Sequence, residues 1–111
     1  MGFLHYGGQG EYAFDDRTLA HLKVVVTTKL RRNEAFFLNW GRDRAEGSGR
    51  VSLWLSPEIP LSFHFTEPSA PPLNRAWLEA MLQETHASAG LTVFAEDLVA
   101  EAAAVPTGAG S

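Results

Sequence analysis

The stretch from Arg50 to Thr66, RVSLWLSPEIPLSFHFT, alternates apolar and polar side chains on both sides of a proline-containing turn. Alternation with period two is typical of a β-strand that has one buried and one exposed face. Pro57 and Pro60 lack the N–H that a central ladder requires, so we place both in the turn. The stretch therefore predicts two strands paired as a hairpin, with valine, leucine and phenylalanine on the buried face.

The opposite face of this predicted hairpin is polar except for one aromatic side chain. Serine and threonine alternate there with His64, while Trp54 stands where a polar residue is expected. Two interpretations stay open, because Trp54 is either covered by another part of the chain or contacts a second copy or a ligand. Aromatic side chains are enriched where proteins touch partners. We therefore take Trp54 and His64 as the candidate interaction surface.

The segment Asp16 to Arg32 is predicted to be a helix, with Asp15 as its N-cap and Asn33 at its C-terminal end. Its buried positions recur at helical spacing and are Leu19, Leu22, Val26 and Leu30. Its solvent-facing positions are Arg17, His21, Thr28 and Arg32, flanked by Lys29 and Arg31. A strand is the competing interpretation, because the β-branched run VVVTT also alternates. The length of the segment and its two caps favour the helix.

Short β-prone runs surround this helix, and a second helix is predicted between a cap at Asn74 and Gly90. The predicted order of elements is β-β-α-β-β-β-α-β. Strands joined by hairpins and two one-sided helices indicate an α+β fold, with a single antiparallel sheet and both helices packed on one face. We expect one domain over residues 1–95. Residues 96–111 form an acidic, alanine-rich tail that we expect to be partly disordered.

The residue types that would support catalysis or a bound group do not form a recognisable pattern. The chain has no cysteine, and its four histidines show no metal-ligand spacing. No nucleophile, base and orienting residue can be named together. We therefore predict no catalytic residues, no cofactor and no metal. No leader or membrane-spanning stretch is recognisable, so we expect no membrane association and a cytoplasmic protein.

The net charge of −4 hides an uneven distribution of charge along the chain. Eight of the nine basic residues lie between positions 17 and 50, against three acids, so this window carries +5 and the remainder −9. Such a window predicts a basic surface that meets phosphates. The candidate nucleic-acid-binding residues are Arg17, Lys29, Arg31, Arg32, Arg42, Arg44 and Arg50.

Four segments, FDDRTLAHLKVVVTTKLRR, EAFFLNW, SLWLSPEIPLSFHF and NRAWLEAM, resemble a family of small actinobacterial proteins. These proteins are about a hundred residues long, functionally uncharacterised and often labelled ATP-dependent DNA ligase. The resemblance covers residues 2 to 94 and implies no catalytic residues. The label also meets a chemical obstacle: such ligases carry the adenylate on the lysine of a K-x-D-G motif, whereas Lys23 and Lys29 are followed by VVV and LRR.

Two functional hypotheses follow, from different classes. The first is a non-catalytic interaction module that pairs with itself or with another protein through the open sheet face bearing Trp54 and His64. The alternative is an accessory module that binds nucleic acid through the basic window. An enzyme is the least favoured hypothesis, because no residues can be assigned to catalysis.

Overall fold

The computed structural model describes residues 1–8, 10–41 and 49–99. Their elements are β1 (Gly2–Tyr6), β2 (Gly10–Phe14), α1 (Asp16–Arg31), β3 (Phe36–Gly41), β4 (Arg50–Leu55), β5 (Leu61–His64), α2 (Arg75–Glu84) and β6 (Leu91–Thr92). Helical backbone follows at 96–99. The predicted α+β class and the order of the first eight elements are confirmed. Within the described ranges, no helix combines the length and apolarity needed to cross a bilayer.

The strands form two three-stranded sheets, so the prediction of a single antiparallel sheet was wrong. One sheet has the order β2-β1-β5, with β1 antiparallel to both neighbours, and the other has the order β4-β3-β6, with β3 and β6 parallel. Each helix also packs on a different sheet, α1 against β1 and α2 against β6. The prediction that both helices cover one face of one sheet was therefore also wrong.

The stretch from Arg50 to Thr66 is not a hairpin, because β4 and β5 belong to different sheets. The connection between them turns at Ser56, whose carbonyl accepts the N–H of Ile59 at 3.2 Å. Its last residue, Pro60, accepts the N–H of Gly7 at 2.9 Å, which ties the chain to the β1–β2 turn. Alternation had separated the less exposed from the more exposed side chains, although Leu55 is buried and the other members of the predicted buried face are half-buried. It carries no information about the strand partner.

The described chain divides into two compact units. The first comprises Met1–Phe36 and Trp54–Asn74, and the second comprises Phe37–Leu53 and the described residues from Arg75 onward. The core of the first unit contains fully buried apolar side chains of α1 together with Leu4 of β1. The α1 contributions are Leu19, Leu22, Val25 and Val26.

Residues 22–30 are helical, so the helix prediction for this segment is confirmed against the competing strand. Asp15 caps α1 by accepting the backbone N–H of Thr18 at 3.0 Å and its hydroxyl at 2.7 Å. Asn33, with φ of 61°, takes the left-handed conformation at the C-terminal end. Local capping and the buried stripe therefore outweigh the β-branched run, whose helical cost is below about 1 kcal/mol per residue.

His21 is fully buried, so its predicted solvent-facing position was wrong. Its Nε2 lies 2.8 Å from the backbone N of Asn74 and must accept that N–H. Its Nδ1 lies 2.7 Å from the carbonyl oxygen of Arg17 and, carrying the ring proton, donates to it. The imidazole therefore links the first turn of α1 to the segment that precedes α2. This partner is 53 residues away in sequence, beyond the reach of helical periodicity.

The second unit is built on the parallel pairing of β3 and β6, in which Leu38 lies opposite Leu91. Both side chains are fully buried, as is Met81 of α2. Gly90 enters β6 with φ of 88°, and a Cβ there would lie 2.3 Å from the carbonyl oxygen of Phe37. Only glycine therefore allows β6 to approach β3 this closely. Helix α2 ends at Glu84, earlier than predicted.

Candidate functional site

The basic residues singled out in the sequence have different surroundings. Arg17 is half-buried, and its Nη1 donates to the carbonyl oxygen of Pro72 at 2.8 Å. Lys29 is buried, and its Nζ lies 2.7 Å from Oε1 of Glu34. These two cations therefore hold the fold of the first unit together. A solvated basic surface would therefore have to come from the other basic candidates.

Three of the five remaining basic candidates are exposed. Arg31 and Arg32 are exposed at the C-terminal end of α1 in the first unit, and Arg50 is exposed at the start of β4 in the second unit. Arg42 and Arg44 lie outside the described residues. Helix ends that carry basic side chains are also stabilised by the helix dipole, so Arg31 and Arg32 have a local structural role as well.

Trp54 and His64 are both exposed, and for Trp54 the sequence had left open whether another part of the chain covers it. They do not share a sheet face, because Trp54 lies on β4 and His64 on β5. The prediction that one open sheet face carries both Trp54 and His64 was therefore wrong. Trp54 is 49% exposed, and its carbonyl oxygen accepts the hydroxyl of Tyr6.

The outer face of the β2-β1-β5 sheet carries a row of titratable side chains that includes His64. Register places His5 opposite Glu11 of β2 and opposite Ser62 of β5, and it places Phe3 opposite His64. We call these five residues the histidine face. Its single large apolar member, Phe3, is 37% exposed.

The polar members of the histidine face contact one another across all three strands. Oε2 of Glu11 lies 3.2 Å from Nε2 of His5. The His5 and His64 rings lie 4.3 Å apart between centroids and are inclined by 40°. Nε2 of His64 lies 2.9 Å from Oγ of Ser62. These contacts pre-organise the face, so binding would cost little side-chain entropy.

The chemistry of the histidine face favours binding over catalysis. Ser62 and His64 resemble a nucleophile with its base, but the carboxylate of Glu11 contacts His5 instead of orienting His64. Over the ranges that the structure describes, no three histidine, cysteine or acidic side chains could hold a metal ion. What the face offers is an exposed aromatic ring bordered by hydrogen-bonding groups, which is typical of protein contact surfaces.

Sequence reasoning missed His5 and Glu11 as site residues. Both lie in the two strands predicted before the first helix, where a histidine and a glutamate look like ordinary solvated side chains. The pairing of β1 with β5 brings them beside Ser62 and His64, and this pairing joins residues about sixty positions apart. The sequence pattern that was available is the alternation in each strand. It indicates that His5 and Glu11 point outward, but it does not indicate which side chains of other strands lie beside them.

Comparison with protein families assigns the chain by its sequence. Residues 1–96 match the family described as Domain of unknown function (DUF7882). The chain belongs to the DUF7882 family. The match includes both sheets, both long helices and the whole histidine face. Searches of curated proteins and of solved structures found no significant match.

Proposed function

We propose that this DUF7882 protein is a non-catalytic interaction module that pairs with a second copy of itself through the histidine face. The observation that carries the proposal is the arrangement of that face. An exposed phenylalanine and an imidazole lie on the central strand, a carboxylate on one edge strand, and a hydroxyl and an imidazole on the other.

This arrangement is self-complementary under two-fold symmetry. A half-turn about an axis parallel to β1 lays β1 over its own copy and β2 over β5 of the other copy. Phe3 then faces Phe3, while Glu11 of each copy faces Ser62 of the other, two residues along β5 from His64. Isologous dimers require such self-matching surfaces. An aromatic contact at the centre with a polar rim is also the usual anatomy of an interface.

Trp54 supports the same proposal as a second exposed aromatic side chain. Its side chain is 49% exposed, which is more than the exposed rings of Phe37 and Phe3. Aromatic residues at interface centres often contribute about 2 kcal/mol or more to binding. We therefore include Trp54 as a separate arm of the test, which asks whether the contact extends beyond the histidine face.

Analytical ultracentrifugation across the micromolar range tests the proposal. We expect a monomer–dimer equilibrium whose dissociation constant rises roughly 30-fold or more in Phe3→Asp, since an aromatic hot spot is replaced by a charge. Glu11→Lys should weaken the dimer as well. Glu84→Lys makes the same change of charge at an exposed position of α2. It is the matched control and should leave the equilibrium unchanged.

Two results would contradict this proposal. The first is a monomer at the highest concentration reached. The second is a dimer that Phe3→Asp and Glu11→Lys leave intact while circular dichroism shows that both variants are folded. If Trp54→Asp alone dissociates the dimer, the contact surface lies elsewhere.

A second candidate function, an accessory module that binds nucleic acid, has support of its own. Arg31 and Arg32 are exposed together at the end of α1, and Arg50 is exposed on β4. Such side chains neutralise backbone phosphates and make binding depend strongly on salt. The module would act beside a catalytic protein, since neither lysine of this chain stands in a K-x-D-G motif.

A further inference from the structure

The second unit has a cleft of about 850 Å³ on the exposed side of its strands. Phe37 and Asn39 of β3 line it together with Arg50 and Ser52 of β4 and Thr92 of β6. This volume is within the usual range for ligand sites, roughly 300 to 1,000 Å³. None of these residues belongs to the histidine face, which lies in the first unit.

One wall of the cleft is held in place by main-chain and side-chain contacts. Nδ2 of Asn39 donates to the carbonyl oxygen of Ala89 at 2.8 Å, and the N–H of Val93 donates to the carbonyl oxygen of Asn39 at 2.8 Å. Gly90 allows the same segment to lie against Phe37. The wall is therefore positioned by β3 itself, and a ligand would meet a preformed surface.

The chemistry of the lining selects among ligand classes. Phe37 is 41% exposed and offers an aromatic surface on a sheet. Arg50 is exposed and, among the described residues of the lining, is the charged one. Three hydroxyl groups complete it, those of Ser52, Ser88 and Thr92. An aromatic ring can stack on a nucleobase, and a guanidinium with neighbouring hydroxyl donors can bind the phosphate of the same nucleotide.

We infer that this cleft binds a nucleotide unit, with the base on Phe37 and the phosphate on Arg50. The inference rests on the second candidate function, which it deepens by naming the site and the ligand chemistry. A free nucleotide and single-stranded nucleic acid share this chemistry, and the experiment distinguishes them.

Fluorescence anisotropy with a labelled single-stranded oligonucleotide, and calorimetry with adenosine monophosphate, test the inference at low salt. Phe37→Ala should weaken binding roughly 5- to 150-fold, the effect expected from losing one stacked base, whereas Phe37→Tyr should retain binding. Arg50→Gln should weaken binding and reduce the slope of log affinity against log salt by about one. Matched controls are Leu73→Ala, an exposed apolar side chain of the first unit, and Arg75→Gln, an exposed arginine of the same unit as the cleft.

The outcomes separate this site from the function on which it rests. Loss of oligonucleotide binding in Phe37→Ala and Arg50→Gln, with both controls unaffected, supports the cleft. Binding of adenosine monophosphate with no gain for the oligonucleotide supports the cleft with a free nucleotide as its source, and overturns the nucleic-acid function. Binding that Arg31→Gln or Arg32→Gln abolishes, but the cleft variants do not, overturns the cleft alone. Absence of any binding overturns both.

Discussion

Replacing His21 by leucine tests the link that this side chain makes between α1 and the segment preceding α2. The ring is fully buried and makes two hydrogen bonds, at 2.7 Å to the carbonyl oxygen of Arg17 and at 2.8 Å from the backbone N of Asn74. Leucine keeps much of the volume but removes both bonds, including the acceptor of a partly buried N–H. The loss of two hydrogen bonds in such a setting should lower the free energy of unfolding by roughly 2–4 kcal/mol.

Urea unfolding followed by tryptophan fluorescence and far-ultraviolet circular dichroism measures this change. In a thermal melt the same loss corresponds to a fall in Tm of roughly 8–16 °C for a chain of this size. His86→Leu is the matched control, because His86 is exposed and its replacement should change stability by less than about 0.5 kcal/mol. His21→Ala should cost more than His21→Leu, since it also leaves a cavity. Equal stability of His21→Leu and His86→Leu would refute the reasoning.

Three further predictions concern titration and backbone geometry. The backbone N–H of Glu67 donates to the Asp16 carboxylate and holds the pKa of Asp16 below its ordinary value. The stability that results is present above the ordinary pKa and is lost as pH falls through the folded-state pKa. Asp16→Asn should therefore flatten the acid side of a plot of Tm against pH. Burial raises the pKa of the Tyr6 phenol above 10.0. The contribution of Tyr6 to folding stability is therefore complete below that pH and is lost as pH rises through the folded-state pKa. Tyr6→Phe should remove this alkaline dependence of Tm. Gly90→Ala should lower the urea midpoint far more than Gly8→Ala, because a Cβ at Gly90 meets a carbonyl oxygen at 2.3 Å and one at Gly8 meets nothing within 4 Å. Equal midpoints would show that β6 can shift without cost.

The order of elements and the limits of α1 could be predicted because they depend on residues close together in the chain. Asp15 and Asn33 cap α1 using groups within three or four positions, which is the range that capping patterns describe. Alternation likewise predicted that Trp54 and His64 point outward, since the direction of a strand side chain follows from its position alone.

The candidate site was less predictable than the elements that carry it. Lys29 was assigned to a phosphate-binding surface, but the structure pairs its ammonium with Glu34 at 2.7 Å in a buried position. The two residues are five positions apart, and a turn at the end of α1 brings them together. His5 and Glu11 went unnoticed, since an exposed histidine and glutamate gain significance only beside another polar pair.

By itself, the sequence determined which segments are helical or extended and most of the apolar positions that α1 buries, because these properties follow from local capping and periodicity. It did not determine that His21 and Lys29 are buried. The tertiary structure alone decided that β4 and β5 part into separate sheets, that β3 and β6 run parallel, and that His21 meets Asn74. The physical reason is that backbone hydrogen-bonding groups are alike in every strand. Partners are therefore selected by how whole surfaces pack, and no single segment contains that information.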